Sequence, residues 1–136
     1  NGHRDMTDGP IVVADWNGVR LHRTLEALRS SCRIQPIYCC DRIMPAVHRL
    51  DPLVVICPLR WCSADCTCSS EVCSGDRILD TIMGLPRPPL TIVHAESAQH
   101  LSLSEYCWPF AKGVTILLDE SDPNFYGELR ANAMML

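Results

Sequence analysis

The sequence predicts an α/β fold in which five parallel strands alternate with five helices, and three observations carry that prediction. Short apolar runs recur at Ile11 to Ala14, Leu53 to Cys57, Leu90 to His94 and Val114 to Leu118. Each is too short for a helix and nearly continuous in hydrophobicity, the pattern of a strand covered on both faces. Between the runs, apolar residues recur every three or four positions, the period of a helix that buries one stripe. Finally, 136 residues with 47% hydrophobic content supply one core, so a single domain is expected.

In order along the chain, Ile11-Val12-Val13-Ala14 reads as a buried strand, and after Asp15-Trp16-Asn17-Gly18 the spacing Leu21, Leu25, Leu28, Cys32 marks a helix face. Arg33 to Cys39 alternates, with Ile34 and Ile37 on one side, as a second strand. Asp41 is placed to cap a helix carrying Ile43, Val47 and Leu50, with Pro45 acceptable in its first turn. The run Leu53 to Cys57 is the most strand-like of all and suits a central position. After a long loop, Ser74-Gly75-Asp76 opens a helix with Ile78, Ile82 and Met83 inward, ended by Gly84. Pro86 to Pro89 is a stiff connector into the strand Leu90 to His94. A helix around Ala98 to Cys107 should stop at Pro109, and Gly113 leads into the strand Val114 to Leu118. Asp122-Pro123 then offers an N-cap and a first-turn proline to a helix striped with Tyr126, Leu129, Ala133 and Leu136.

Right-handed crossovers make this a (βα)5 three-layer sandwich, flavodoxin-like, with sheet order 2-1-3-4-5. In that order the strands that end on Asp15, Cys57, His94 and Asp119 converge at one sheet edge, where open α/β sheets bind ligands. Residues 1–10 are polar and read as a flexible leader, and residues 11–136 as the domain. The apolar ending Ala133-Met134-Met135-Leu136 suggests truncation from something longer.

Twelve basic against sixteen acidic residues give a net charge of −4 without a long run of either sign, so no nucleic-acid surface is expected on this chain. No apolar stretch approaches the roughly 18 residues that span a bilayer, and the opening residues are too polar for a signal peptide. A cytoplasmic, membrane-free protein is the expectation. Nine cysteines are many, but the odd count and their placement in apolar runs favour reduced thiols or a metal site over a disulfide scaffold.

The run Val12-Val13-Ala14-Asp15-Trp16-Asn17, followed by a leucine-rich helix, resembles the opening of a response-regulator receiver domain of the CheY-like kind. Asp51 to Cys57 resembles the family's third strand, Pro89 to Ala95 its fourth, and Gly113 to Asp119 with Ser121-Asp122-Pro123 its fifth strand and last helix. The resemblance implies a site with two acids after strand one for Mg²⁺, an acceptor aspartate on strand three, a hydroxyl on strand four and a lysine on strand five. At those positions this chain carries Ala14-Asp15, Cys57, His94 and Asp119. One carboxylate is a poor Mg²⁺ site, a thiol forms no acyl phosphate, and Asp119 would repel a phosphoryl group. The implied protein is an atypical receiver that phosphotransfer does not switch, requires no cofactor and is not an enzyme. It would act as the regulatory and dimerising module of a signalling or transcriptional regulator, with Tyr126, Arg130 and Met134 on a homodimer face. DNA would be reached only through an effector domain absent from this chain.

Other readings use the thiols. Cys62, Cys66, Cys68 and Cys73 form a C-x3-C-x-C-x4-C cluster that four-coordinate Zn²⁺ could occupy, making a metal- or redox-responsive sensor, and Cys39 and Cys40 could join it. The bland alternative makes Cys32, Cys39 or Cys107 small core residues. Cys57, His94 and Asp15 or Asp119 could also be drawn as nucleophile, base and orienting acid, although no nucleophile elbow accompanies them. Trp16 and Trp61 could cover the crevice, or simply edge the core with Trp108, while His22 and His48 read as solvated helix residues.

Overall fold

The apolar runs pair as parallel strands β1 (Ile11–Ala14), β2 (Ile34–Ile37), β3 (Val54–Pro58), β4 (Leu90–Ala95) and β5 (Ile116–Asp119), in the order β2-β1-β3-β4-β5. The computed structural model describes residues 10–29, 33–61, 75–96 and 102–134. Five helices follow the strands: α1 (Gly18–Ala27), α2 (Ile43–Leu50), α3 (Gly75–Met83), α4 (Leu103–Ala111) and α5 (Phe125–Ala133). This is the expected flavodoxin-like, CheY-like arrangement.

Burial explains why the central strands lack polar alternation. Val12, Ala14, Val55, Cys57, Val93 and Ala95 pack on one side of the sheet with Ile43, Ala46 and Val47 of α2 and Ile78, Leu79 and Ile82 of α3. Ile11, Val13, Val54, Ile56 and Ile92 pack on the other with Leu21 and Leu28, and with Phe125, Leu129 and Ala133 of α5. A strand between two helical layers needs apolar residues at every position, which is what β1 and β3 supply.

The edge strand β2 contains a proline, and its pairing shows why the sheet accepts it. Ile11 and Asp15 donate their backbone N–H groups to the carbonyls of Arg33 and Ile37, at 2.8 and 2.9 Å. Odd-numbered residues of β2 therefore face β1, and the missing N–H of Pro36 falls on the solvent side.

Several boundaries differ from the sequence expectation. Asp41 does not cap α2: it lies inside a 3₁₀ turn, Cys40–Arg42, that delivers the chain to Ile43, and no side chain caps that helix. Pro109 lies inside α4 and does not stop it. A proline so near the end costs one backbone bond, and its own carbonyl accepts from Val114 N–H at 3.0 Å, turning the chain through Gly113 at φ 109°. That turn moves β5 two residues beyond its expected start at Val114. Asp122-Pro123 lie just before α5 rather than in its first turn: Asp122 Oδ1 accepts from Asn124 N–H at 2.8 Å, and the helix begins at Phe125. Strand two is shorter than Arg33 to Cys39, because the chain leaves the sheet after Ile37.

Candidate functional site

Where β1 ends, Asp15 is buried, and a buried carboxylate is tolerable only if its charge is matched and its oxygens are occupied. The following residues do both. Asn17 caps α1, its Oδ1 accepting the Arg20 N–H at 3.0 Å, and this fixes the first helical turn so that Arg20 points back at Asp15. Arg20 Nε donates to Asp15 Oδ2 at 2.6 Å and Nη2 to Oδ1 at 2.8 Å, a two-pronged pair. Asp15 Oδ1 also accepts the Asn17 N–H at 2.9 Å.

The remaining guanidinium arm continues the network. Arg20 Nη1 donates to Glu120 Oε1 at 2.9 Å. Glu120 Oε2 lies 2.6 Å from Nδ1 of the buried His94, which is the donor in this contact. The other ring nitrogen, Nε2, stands 4.0 Å from Asp15 Oδ2, closing a ring of Asp15, Arg20, Glu120 and His94. Burial opposes the charge on Arg20, yet hydrogen bonding and attraction to Asp15, then Glu120, hold its pKa above the usual arginine value. Trp16 lies over the guanidinium, 5.3 Å from ring centre to Cζ, while its indole N–H donates to the Arg60 carbonyl at 2.9 Å.

Of the four strand-end residues, Asp15 and His94 meet in this cluster. Cys57 belongs to the apolar core on the opposite face of the sheet, with Leu59 and Trp61. Burial, and secondarily the charge of Asp15, push its thiol up to about 12. A thiol so held is protonated at neutral pH and is not a nucleophile. His94 gives Nδ1 to Glu120 and has Nε2 near Asp15, while Cys57 lies on the other face, so among the described residues no hydrogen bond joins thiol and imidazole. Asp119 holds the turn that follows it: its Oδ1 accepts from the Ser121 N–H at 2.8 Å and hydroxyl at 2.6 Å. Ala14 is buried against the α2 and α3 side.

Arg20 and Glu120 were not anticipated from the sequence. The signals were an arginine five residues past Asp15, in the first helical turn, and a second acid directly after Asp119. Trp16 covers the cluster, as considered above, whereas Trp61 packs on the other face with its indole N–H buried and unpartnered among the described residues. His22 and His48 are exposed helix residues.

Cys62, Cys66, Cys68, Cys73 and Cys32 lie outside the described residues, and no group of metal-ligating side chains occurs among those described. Cys39, Cys57 and Cys107 are free thiols, but Cys40 is disulfide-bonded, which departs from the expectation that the thiols are reduced. Cys107 is exposed, not a core residue. On α5, Met134 is exposed at the C-cap, Tyr126 meets Phe125 edge to face, and Arg130 Nη1 donates to the Ala27 carbonyl at the end of α1 at 3.1 Å. No helix among the described residues is long and apolar enough to cross a membrane.

This architecture, with its ion cluster at the carboxyl ends of the strands, is that of the CheY-like receiver fold. The chain is similar in structure to the signal receiver domain of a protein assigned as a Luxo repressor from Vibrio parahaemolyticus, with TM-score 0.73 and 16% identity over 92% of this chain and 86% of that one. It is similar to a CheY-like receiver domain protein from Methanospirillum hungatei JF-1, with TM-score 0.71, 9% identity and coverage of 93% and 94%. It is also similar to the response regulator DrrB of Thermotoga maritima, an OmpR/PhoB homolog, with TM-score 0.68 and 18% identity over 91% of this chain and 50% of that one. No protein-family model and no curated protein matches the sequence.

Proposed function

We propose that this chain is a receiver-type regulatory domain that works without phosphorylation. The observation that carries the reading is the Arg20 guanidinium, held between Asp15 and Glu120. The acid that would help to hold Mg²⁺ in a receiver is here already neutralised by a tethered cation, and both its oxygens are occupied. The residues do not fit a divalent cation. Its partner acid is Ala14, the acceptor position is the buried Cys57, and the lysine position is Asp119. Neither a cofactor nor an enzymatic step is part of this reading.

In the same reading the domain regulates by association, as a homodimer built on α5. Met134 offers exposed apolar surface there, beside Tyr126 and Arg130. An effector domain, as the twofold greater length of DrrB illustrates, would carry any DNA contact. Incubation with acetyl phosphate and Mg²⁺, followed by intact-mass measurement, is expected to leave the chain unmodified. An adduct on any aspartate overturns the proposal. Sedimentation should be concentration-dependent for the wild type and less so for Met134→Glu.

A further inference from the structure

Glu120 ties together α1, β4 and the approach to α5 at the carboxyl edge of the sheet. Its Oε1 receives the arm of Arg20 from α1, at 2.9 Å, and its Oε2 receives His94 from the end of β4, at 2.6 Å. Its backbone N–H donates to Ala95 at 2.9 Å, so the carboxylate stands on a fixed base. From there to α5 the chain has no slack. Asp119 and Asp122 each bind a backbone N–H two residues on, at 2.8 Å, and the Phe125 N–H donates to the Asp122 carbonyl at 2.9 Å. Phe125, the first residue of α5, then sets its ring edge-on to His94, with centres 5.4 Å apart and planes at 72°, and Tyr126 packs on Phe125 at 4.9 Å.

The far end of the α1–α5 pair is held differently. There the two helices meet through apolar packing of Leu28 with Leu129 and Ala133, and the polar contact from Arg130 to the Ala27 carbonyl is exposed. The near end is thus tied by buried charge and the far end by apolar burial.

We infer that Glu120 is the positioning residue of a latch that clamps the start of α5 to α1 and β4, and that the regulatory state of the domain follows whether this latch is closed. The inference rests on the phosphorylation-independent reading: the position of α5 is set by an internal ion cluster and not by a phosphoryl group. When the Glu120 carboxylate is lost, Arg20 and His94 lose their common partner, and the ring that Phe125 leans on loses its anchor.

Amide hydrogen exchange on the whole chain tests this. In Glu120→Gln the amides from Glu128 to Ala133 should exchange about tenfold faster or more, relative to those of β1 and β3. Arg20→Lys keeps the charge but loses the fork, and should give the same pattern, so the test survives if one variant folds poorly. Arg87→Met should leave the exchange of those α5 amides within about twofold of wild type, because it removes only the exposed bond to Asp51. Exchange in α5 that is unchanged in Glu120→Gln and Arg20→Lys, or that rises equally in every strand, overturns the latch. That result leaves the absence of phosphotransfer standing, whereas an acetyl-phosphate adduct overturns the broader reading whatever α5 does.

Discussion

At the carboxyl ends of β1, β3 and β4 the two faces of the sheet make buried space stable in opposite ways. On the α1 and α5 side, Asp15, Arg20, Glu120 and His94 satisfy one another with short charged hydrogen bonds. On the α2 and α3 side, Cys57 lies among apolar residues with its proton retained. On one face the cation is covalently part of α1, and on the other the thiol has joined the core. The charged half is therefore costly to break and the apolar half chemically quiet.

The largest effect should come from breaking the charged half. Arg20→Met leaves Asp15 buried without its counter-charge and should cost about 3–5 kcal/mol in urea denaturation. A loss below about 1 kcal/mol would mean that Asp15 is not relying on the guanidinium.

The apolar half should respond more mildly. Cys57→Ala removes one buried sulfur and should cost about 1–2 kcal/mol. Its pH signature is sharper. The folded thiol is raised from 9.0 to about 12, so below pH 9 both folded and unfolded thiols keep their protons and contribute no slope. Above that, the unfolded chain ionises first, and stability should fall as pH rises towards 12. Cys57→Ala should lose this part of the alkaline sensitivity. At neutral pH, iodoacetamide should label the exposed Cys107 and leave Cys57 unmodified in native protein. Labelling of Cys57 at a comparable rate would contradict its burial.

The smallest effect belongs to the cover over the cluster. Trp16 is 38% exposed, and Trp16→Phe keeps a ring over Arg20 but loses the bond to the Arg60 carbonyl. A cost of about 0.5–1 kcal/mol is expected. A cost near that of Arg20→Met would show that the tryptophan, not the arginine, shields Asp15.

The fold was legible because its signals are local and repeated. Runs such as Leu53 to Ile56 announce covered strands, and the spacing of Leu21, Leu25 and Leu28 announces a helix against them. Helix ends were less legible. Asp41 and Asp122 are good capping types, but a 3₁₀ turn and a side-chain turn claimed them. Half of the cluster was legible too, since Asp15 and His94 end strands that topology brings together. Arg20 and Glu120 were not, because an ion pair spanning one hundred residues leaves no periodicity in the sequence. Asp119 also drew attention that belonged to its neighbour: the strand ends there, and the next side chain is the one that binds Arg20 and His94.

The proline in β2 has a consequence for how copies of this chain can meet. An open sheet edge invites another strand when it offers an unbroken row of donors and acceptors. Pro36 removes the donor in the middle of a four-residue strand, on the side that faces away from the sheet. A foreign strand approaching there finds an acceptor but no matching N–H, and the ladder cannot propagate. The β2 edge is thus protected against runaway strand-to-strand growth, which leaves the β5 edge and the helical faces to form any ordered contact.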